Sequence, residues 1–299
     1  MAKSIWNSAN IPDQKGKIAI VTGSTSGLGK EAVRVLALKG AQVIMAVRNT
    51  EKGDKVAKQI KENDKGASIQ VMELDLGSLK SVKAFSTAFL KKFDRLDILI
   101  NNAGVMMCPF SKTEDGFEIQ MGTNHLGHFA LTGHLMPLLK KTPGSRVVAT
   151  SSIAHRNGNI DFSDINWESR SYKTGKAYGD SKIANLYFAY ELSKKLSSEG
   201  NNPLVTAAHP GWTATELQRH SGMFKVLNKF FAQDLSMGTL PTLRAATDPE
   251  AKAGDFFGPS GMMELRGSPK KVESNALSQD KKKAEKLWEI SELLTDVKF

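Results

Sequence analysis

The chain has 299 residues, of which 40% are hydrophobic and 24% charged, with a formal net charge of +10; this is a globular composition, without an apolar run near the ~18 residues that span a bilayer. The N-terminal M-A-K-S-I-W-N-S-A-N lacks the apolar stretch of a secretory signal, and the single cysteine, Cys108, excludes an internal disulfide, so a reducing, cytoplasmic setting is expected. The lysines are scattered without interleaved aromatics, which argues against nucleic acid as a partner and leaves attraction to an anionic cofactor or membrane surface open.

Strand-like runs are predicted at 17–22, 42–47, 68–74, 97–101, 146–151 and 204–209, with a shorter seventh around 255–257. Most are short continuous apolar runs, as expected for a parallel sheet covered on both faces. Helical patterns alternate with them at 29–39, 51–62, 79–93, 117–141 and 178–196. The alternation implies right-handed crossovers and an α/β fold: a doubly wound parallel seven-stranded sheet of Rossmann type, helices on both faces, in a single domain over 1–299. Substrate-covering elements are expected as an insertion at about 212–235.

The first strand runs straight into a glycine turn. Ile18 to Gly29 reads I-A-I-V-T-G-S-T-S-G-L-G, and a helical pattern follows at once. Strand, glycine turn and helix bring backbone N–H groups and a positive helix end against a pyrophosphate. The same letters also suit a plain tight turn; the place near the N-terminus favours dinucleotide binding. Gly23, Ser24, Thr25, Ser26, Gly27, Leu28 and Gly29 are therefore the first candidate cofactor contacts.

The second strand ends in A-V-R-N, with Arg48 19 positions after Gly29 and no carboxylate where a dinucleotide fold usually carries one for the ribose 2′-hydroxyl. A guanidinium there suits a 2′-phosphate through bidentate, charge-assisted hydrogen bonds, which favours NADP(H) over NAD(H); the alternative is a surface arginine at a strand end. Asp75, followed by Leu76, closes the third strand; it either accepts from an adenine amino group or caps the next helix. The fourth strand runs into Asn101 and then Asn102, Ala103 and Gly104, small residues that let a flat ligand approach the backbone, with Asn102 able to brace the turn.

Tyr178 and Lys182 stand at i and i+4, on one helix face. A free tyrosine is a poor acid–base catalyst at neutral pH, and a nearby ammonium is expected to lower its pKa by about two units. The same spacing also occurs as an amphipathic pair without chemistry. The fifth strand delivers Ser151 and Ser152 to the carboxyl edge of the sheet, where a hydroxyl either stabilises charge on a carbonyl oxygen or caps a turn. Asn124 sits inside a predicted helix, T-N-H-L-G-H-F, although asparagine is a mediocre helix former.

In this order and spacing the chain resembles the short-chain dehydrogenase/reductase family over nearly its whole length. The marks are T-G-x-x-x-G-x-G from Thr22, N-N-A-G from Asn101, Asn124, the serine pair, Y-x-x-x-K from Tyr178 and the Pro210–Gly211 pair. V-I-M-A-V-R-N, T-N-H-L-G-H-F and A-H-P-G-W-T-A-T-E-L make it most similar to the retinol dehydrogenase and protochlorophyllide reductase-like branch. The resemblance implies that Tyr178 is the proton donor or acceptor, and that Lys182 lowers its pKa and binds the nicotinamide ribose. Ser152 would orient the carbonyl, Asn124 would hold a water linking Lys182 to solvent, and Thr215 would contact the carboxamide beside Pro210 and Gly211. The implied reaction is NADP(H)-dependent hydride transfer to or from the carbonyl carbon of a bulky apolar aldehyde or ketone, with no metal. The alternatives are C=C reduction and a non-catalytic NADP(H)-binding sensor or scaffold.

Ser152 and Tyr178 are 26 positions apart, about twice the usual family gap, and an extended segment is expected beside the site with Ile160, Phe162 and Trp167 shaping substrate access. Downstream of Gly211, Leu217, Met223, Phe224, Val226, Leu227, Phe230 and Phe231 follow helical spacing. They suit a substrate lid, a core helix or the face of a homo-oligomer, and Lys225 and Lys229 also permit peripheral membrane contact. His125, His128 and His134 are read as helix-packing residues rather than metal ligands, and Cys108 as a small apolar neighbour of Met106 and Met107. An amphipathic helix at 278–294 either docks on the domain or pairs with a second subunit.

Overall fold

The first strand, Ile18–Thr22 (β1), is buried along its whole length, and the sheet grows outward from it. The computed structural model describes residues 5–197, 203–213 and 233–299. In chain order the elements are β1, helix α1 (Gly27–Leu38), β2 (Gln42–Val47), α2 (Thr50–Asn63), β3 (Ser68–Glu73), α3 (Leu79–Lys92), β4 (Ile98–Asn101), the single turn α4 (Ile119–Met121), α5 (Gly127–Lys141) and β5 (Arg146–Thr150). Then come α6 (Thr174–Ser197), β6 (Leu204–Ala208), α7 (Leu235–Thr247), β7 (Phe256–Pro259), β8 (Pro269–Val272) and α8 (Lys281–Thr295).

The strands form one sheet of order β3-β2-β1-β4-β5-β6-β7-β8. Every neighbouring pair is parallel except β7 and β8. The sheet therefore has eight strands rather than the seven expected. The extra one is an antiparallel edge strand, P-K-K-V, whose two central lysines are exposed; its proline opens the strand, where a missing N–H costs least.

Each face of the sheet carries its own core. Ile20, Ile44, Leu99 and Val147 pack under α3, α5, α6 and α8 with Phe85, Phe89, Phe129, Phe188 and Trp288. Ala19, Val21, Val43, Met45 and Ile100 pack under α1, α2 and α7 with Val33, Leu36, Val56, Ile60 and Leu243. Alternate residues of one strand thus go to opposite cores, as the two-residue pleat requires. Strand order reverses between β1 and β4, which opens a crevice at their carboxyl ends, where doubly wound sheets bind ligands.

The C-terminal helix docks on its own chain. Trp288 meets Phe129 edge-on at 5.0 Å and Phe299 at 4.7 Å, and the fully buried Ser291 is hydrogen-bonded to His125 Nε2 at 2.8 Å. The helix expected over 117–141 runs from Ile119 to Lys141, and within it lies a π-helical turn, Gly122–Leu126, joined to α4 and α5 through helical backbone at both ends. It carries Asn124 inward, as such turns often do at functional positions.

Candidate active site

The crevice is lined by the turns that leave β1, β4 and β5. At the first turn, Gly23 (φ 65°) and Gly27 (φ 54°) adopt left-handed backbone. Ser26 precedes α1 without spending its side chain on a cap, so the N–H groups of the helix start face the crevice without a side-chain acceptor from that residue. A Cβ on Gly29 would lie 2.6 Å from both Gly23 O and Asn102 Nδ2. Gly29→Ala is therefore expected to push apart the β1 and β4 turns, costing about 1–3 kcal/mol by overpacking. NADPH titration and thermal melting check this: both affinity and melting temperature should fall, and unchanged affinity would exclude the turn from the cofactor site.

The β4 turn is tied to the first. Asn102 Nδ2 donates to Thr22 O at 2.8 Å, while the N–H groups of Asn102 and Ala103 both donate to Thr22 Oγ1 at 2.9 Å. Ser24 is buried and donates to Val21 O at 3.2 Å; Thr25, Ser26 and Leu28 are half-buried around the turn. Arg48 is exposed one residue beyond β2, beside Asn49, which caps α2. Asp75 accepts from Gly77 N–H at 2.8 Å and so braces its own turn; the cap of α3 is Ser78, not Asp75. Leu76 is buried against α5. The glycine cradle, the unused helix start and the small Asn102–Ala103–Gly104 turn fit a dinucleotide.

The second half of the site comes from β5, α6 and the π-turn. Ser151 is structural: its hydroxyl donates to Lys182 O at 2.8 Å. Ser152 starts a short 3-10 turn, where its hydroxyl accepts from Ala154 N–H at 3.2 Å, and that hydroxyl is near enough to the Tyr178 phenol to favour its ionised form. Lys182 Nζ lies 5.6 Å from the Tyr178 ring centre and donates to Thr150 O at 3.3 Å. A Cβ on Gly104 would lie 2.9 Å from Asn124 Oδ1 and 3.5 Å from Lys182 Nζ. The fold thus brings together Ser152, Tyr178, Lys182, Asn124 and the Asn102–Gly104 turn, residues that lie far apart in the chain.

The electrostatics differ from the expectation. Burial pushes the Tyr178 phenol up to about 12, with the Ser152 hydroxyl pulling the other way. Burial also pushes Lys182 down to about 8. Helix spacing correctly places the pair on one face, but desolvation of the phenolate outweighs the lowering expected from the ammonium.

Asn124 is fully engaged. Its Nδ2 donates to Val105 O and to Ser181 Oγ, both at 2.9 Å, and its Oδ1 accepts from Val105 N–H at 2.8 Å. Ser181 in turn donates to Tyr178 O at 2.8 Å, so the π-turn is linked to the helix turn bearing the phenol. Pro210 and Gly211 close the site past β6. Pro210 O accepts from Thr213 Oγ1 at 2.9 Å and from Gln233 Nε2 at 2.8 Å. Thr215 and the apolar stretch from Leu217 to Phe231 lie outside the described residues.

Residues 17–224 match the family model for short chain dehydrogenases. The chain belongs to that family. Within it the chain sits in the retinol dehydrogenase-like branch: Retinol dehydrogenase 12 of Mus musculus is 42% identical over 281 residues, covering 92% of this chain and 85% of that protein. The crystal structure of an uncharacterized protein from Mycobacterium Paratuberculosis has a TM-score of 0.85 at 38% identity, covering 99% of both chains. A short chain dehydrogenase from Shigella flexneri complexed with NADP has a TM-score of 0.66 at 27% identity, covering 82% of this chain and 97% of that one.

In this short chain dehydrogenase the segment between Ser152 and Tyr178 is held differently from the expectation. Ile160 and Trp167 are buried, and Phe162 packs beside Ile160 against Phe117 and Met121 under a Lys286 side chain. Ile160 and Trp167 thus anchor the segment, while Phe162 keeps part of its surface exposed. Sequence reading missed the polar anchor beside them. The buried Glu118 carboxylate accepts from Gln120 and Met121 N–H and from Tyr172 OH, at 2.9, 2.7 and 2.7 Å. Gln120 binds Tyr172 OH and Met107 N–H, each at 2.8 Å. Met107 reaches to 3.7 Å from where a Cβ on Gly175 would stand, one turn before Tyr178. This network fixes the Met106–Cys108 loop against α6; burial raises the Cys108 thiol pKa, consistent with an apolar neighbour rather than a nucleophile.

Proposed function

We propose that this short chain dehydrogenase is an NADP(H)-dependent reductase of bulky apolar aldehydes or ketones, working reversibly as an alcohol dehydrogenase. The observation that carries the proposal is the meeting of Ser152, Tyr178 and Lys182 beside the dinucleotide crevice. A bound reduced nicotinamide supplies the hydride. Ser152 holds the carbonyl oxygen next to the phenol, and Tyr178 delivers its proton to that oxygen as charge develops there. Lys182 contributes a positive charge behind the phenol, and Asn124 keeps the adjoining turn in register. Arg48, exposed at the end of β2, favours the 2′-phosphate of NADP(H). The apolar character of the substrate is supported by Met106, Met107 and Cys108, half-buried just after the Asn102–Gly104 turn, and by the retinol dehydrogenase relatives.

The test is consumption of NADPH and NADH against short, long-chain, aromatic and polycyclic carbonyl compounds. Tyr178-dependent turnover that prefers NADPH and long apolar aldehydes is expected. Tight NADPH binding without turnover on any of them would favour the sensor or scaffold reading.

The pH dependence has a definite sign. The raised phenol keeps its proton through neutrality, whereas the depressed lysine is charged below about 8 and loses that charge above it. The kcat for reduction should be level around neutrality and decline as pH rises through about 8, while alcohol oxidation, which needs the phenolate, should gain. A reduction rate that climbs with pH through that window would remove Lys182 from the account.

A further inference from the structure

His128 lies between the two halves of the site, and donor–acceptor arithmetic fixes its state. Its Nδ1 stands 2.9 Å from Asn124 O. A carbonyl oxygen only accepts, so Nδ1 carries the proton. Its Nε2 stands 2.9 Å from Thr22 Oγ1. That hydroxyl oxygen already faces two N–H donors, Ala103 and Asn102, the second shared with Ile100 O at 3.0 Å, so both of its lone pairs are engaged. Thr22 can only donate its remaining proton. The other oxygen within its reach, Ile100 O, is farther, at 3.4 Å, so the proton goes to Nε2 and the ring is neutral. Burial independently pushes His128 down to about 4, opposed by its bond to Asn124 and aided by the nearby Lys182 charge.

We propose that His128 is a positioning residue: a neutral imidazole that couples the cofactor cradle, through Thr22, to the π-turn that presents Asn124, through the carbonyl of that residue. The proposal rests on the reductase reading above for what the two ends do. One end of the ring fixes the hydroxyl that orders the Asn102–Ala103 turn. The other holds Asn124 O, the carbonyl of the residue whose side-chain amide donates to Ser181 and so leads to Tyr178. His125, one turn away in the sequence, makes neither link; its partner is Ser291 on α8. The division of labour between the two histidines is set by which side of the π-turn each occupies.

Two substitutions separate the ends of the ring. His128→Gln places an amide oxygen near the Nε2 position, keeping an acceptor for Thr22 and losing the donor to Asn124 O. His128→Asn places an amide nitrogen near the Nδ1 position, keeping that donor and losing the acceptor. His128→Gln should keep NADPH affinity and lose kcat, whereas His128→Asn should lose NADPH affinity, each by about tenfold, typical of coupled neighbours. The same fall of both quantities in both variants, or no fall in either, overturns the proposal.

Nitrogen-15 NMR of the imidazoles in the intact wild-type protein provides a readout that does not depend on the variants folding. The expected result is an Nδ1–H tautomer for His128 at neutral pH, with its Nε2 resonance moving on NADPH addition. An Nε2–H tautomer, a charged ring, or an Nε2 resonance unmoved by saturating NADPH contradicts the coupling. Wild-type protein that fails to bind NADPH at all, yet holds the Nδ1–H tautomer, would instead contradict the reductase reading and leave the hydrogen-bond assignment of His128 intact.

Discussion

Tyr178→Phe should lower carbonyl turnover about 10³-fold, the scale of a lost general acid, while NADPH binds as before. The ring is buried, 7% exposed, and phenylalanine refills its space. Only the phenolic oxygen is lost, together with its interaction with the nearby Ser152 hydroxyl. Ser152 keeps its contact with Ala154 N–H, so the penalty in stability should stay near 1 kcal/mol, the net value of one hydrogen bond. Steady-state rates, a fluorescence titration with NADPH and a thermal melt together separate these terms. Undiminished turnover would remove Tyr178 from the mechanism; loss of turnover together with cofactor binding would mean that the phenol shapes the cradle instead.

Arg48→Asp should weaken NADPH about 100-fold, or about 3 kcal/mol at 1.4 kcal/mol per tenfold, and change NADH by far less. Arginine offers a planar fork of donors to a 2′-phosphate; aspartate replaces attraction by repulsion there and restores the acceptor that a ribose 2′-hydroxyl prefers. Because Arg48 is exposed beyond the last strand residue of β2, the fold should tolerate the change. Dissociation constants for the two cofactors decide the matter, and equal weakening of both would overturn the phosphate assignment.

Much of this architecture was legible because its strands are buried on both faces and read as continuous apolar runs. I-A-I-V-T and Q-V-I-M-A-V are recognisable without any partner. The features that escaped are those with no period of their own. P-K-K-V is short, polar and at an edge. Helix α7 contains Gly238 and Pro241, which read as breakers; in the fold a Cβ on Gly238 would strike Thr213 Oγ1 at 2.2 Å, so close packing rather than propensity determines that glycine. The π-turn leaves the apolar periodicity around Asn124 nearly unchanged while altering which carbonyls are free.

The site divides in the same way. Spacing along a helix was enough to pair Tyr178 with Lys182, and strand-end position was enough to bring Ser152 and Asn102 to the crevice. Depth was not legible, and depth decides the pKa of the phenol. Nor was the origin of burial: Ile160 and Trp167 looked available to a substrate because they lie in a loop, yet Ile160 joins a cluster with residues of α4 and α6, and Trp167 is covered by Arg170 and Tyr172 of its own segment. Glu118 and Tyr172 carried no motif at all, and His128 entered only as one letter of T-N-H-L-G-H-F, read as a helix-packing residue. The only sequence signal for them is a titratable or polar residue amid apolar neighbours, which becomes informative once its hydrogen-bond partners are known.

The central claim is hydride transfer to a carbonyl carbon, and isotope transfer tests it most directly. NADPH deuterated at the transferable position of nicotinamide C4 would be turned over with a long-chain α,β-unsaturated aldehyde, and the product analysed by mass spectrometry and proton NMR. The account predicts an unsaturated alcohol with deuterium on the carbinol carbon, absent with Tyr178→Phe. Deuterium on the β-carbon of a saturated aldehyde would contradict it and establish alkene reduction instead.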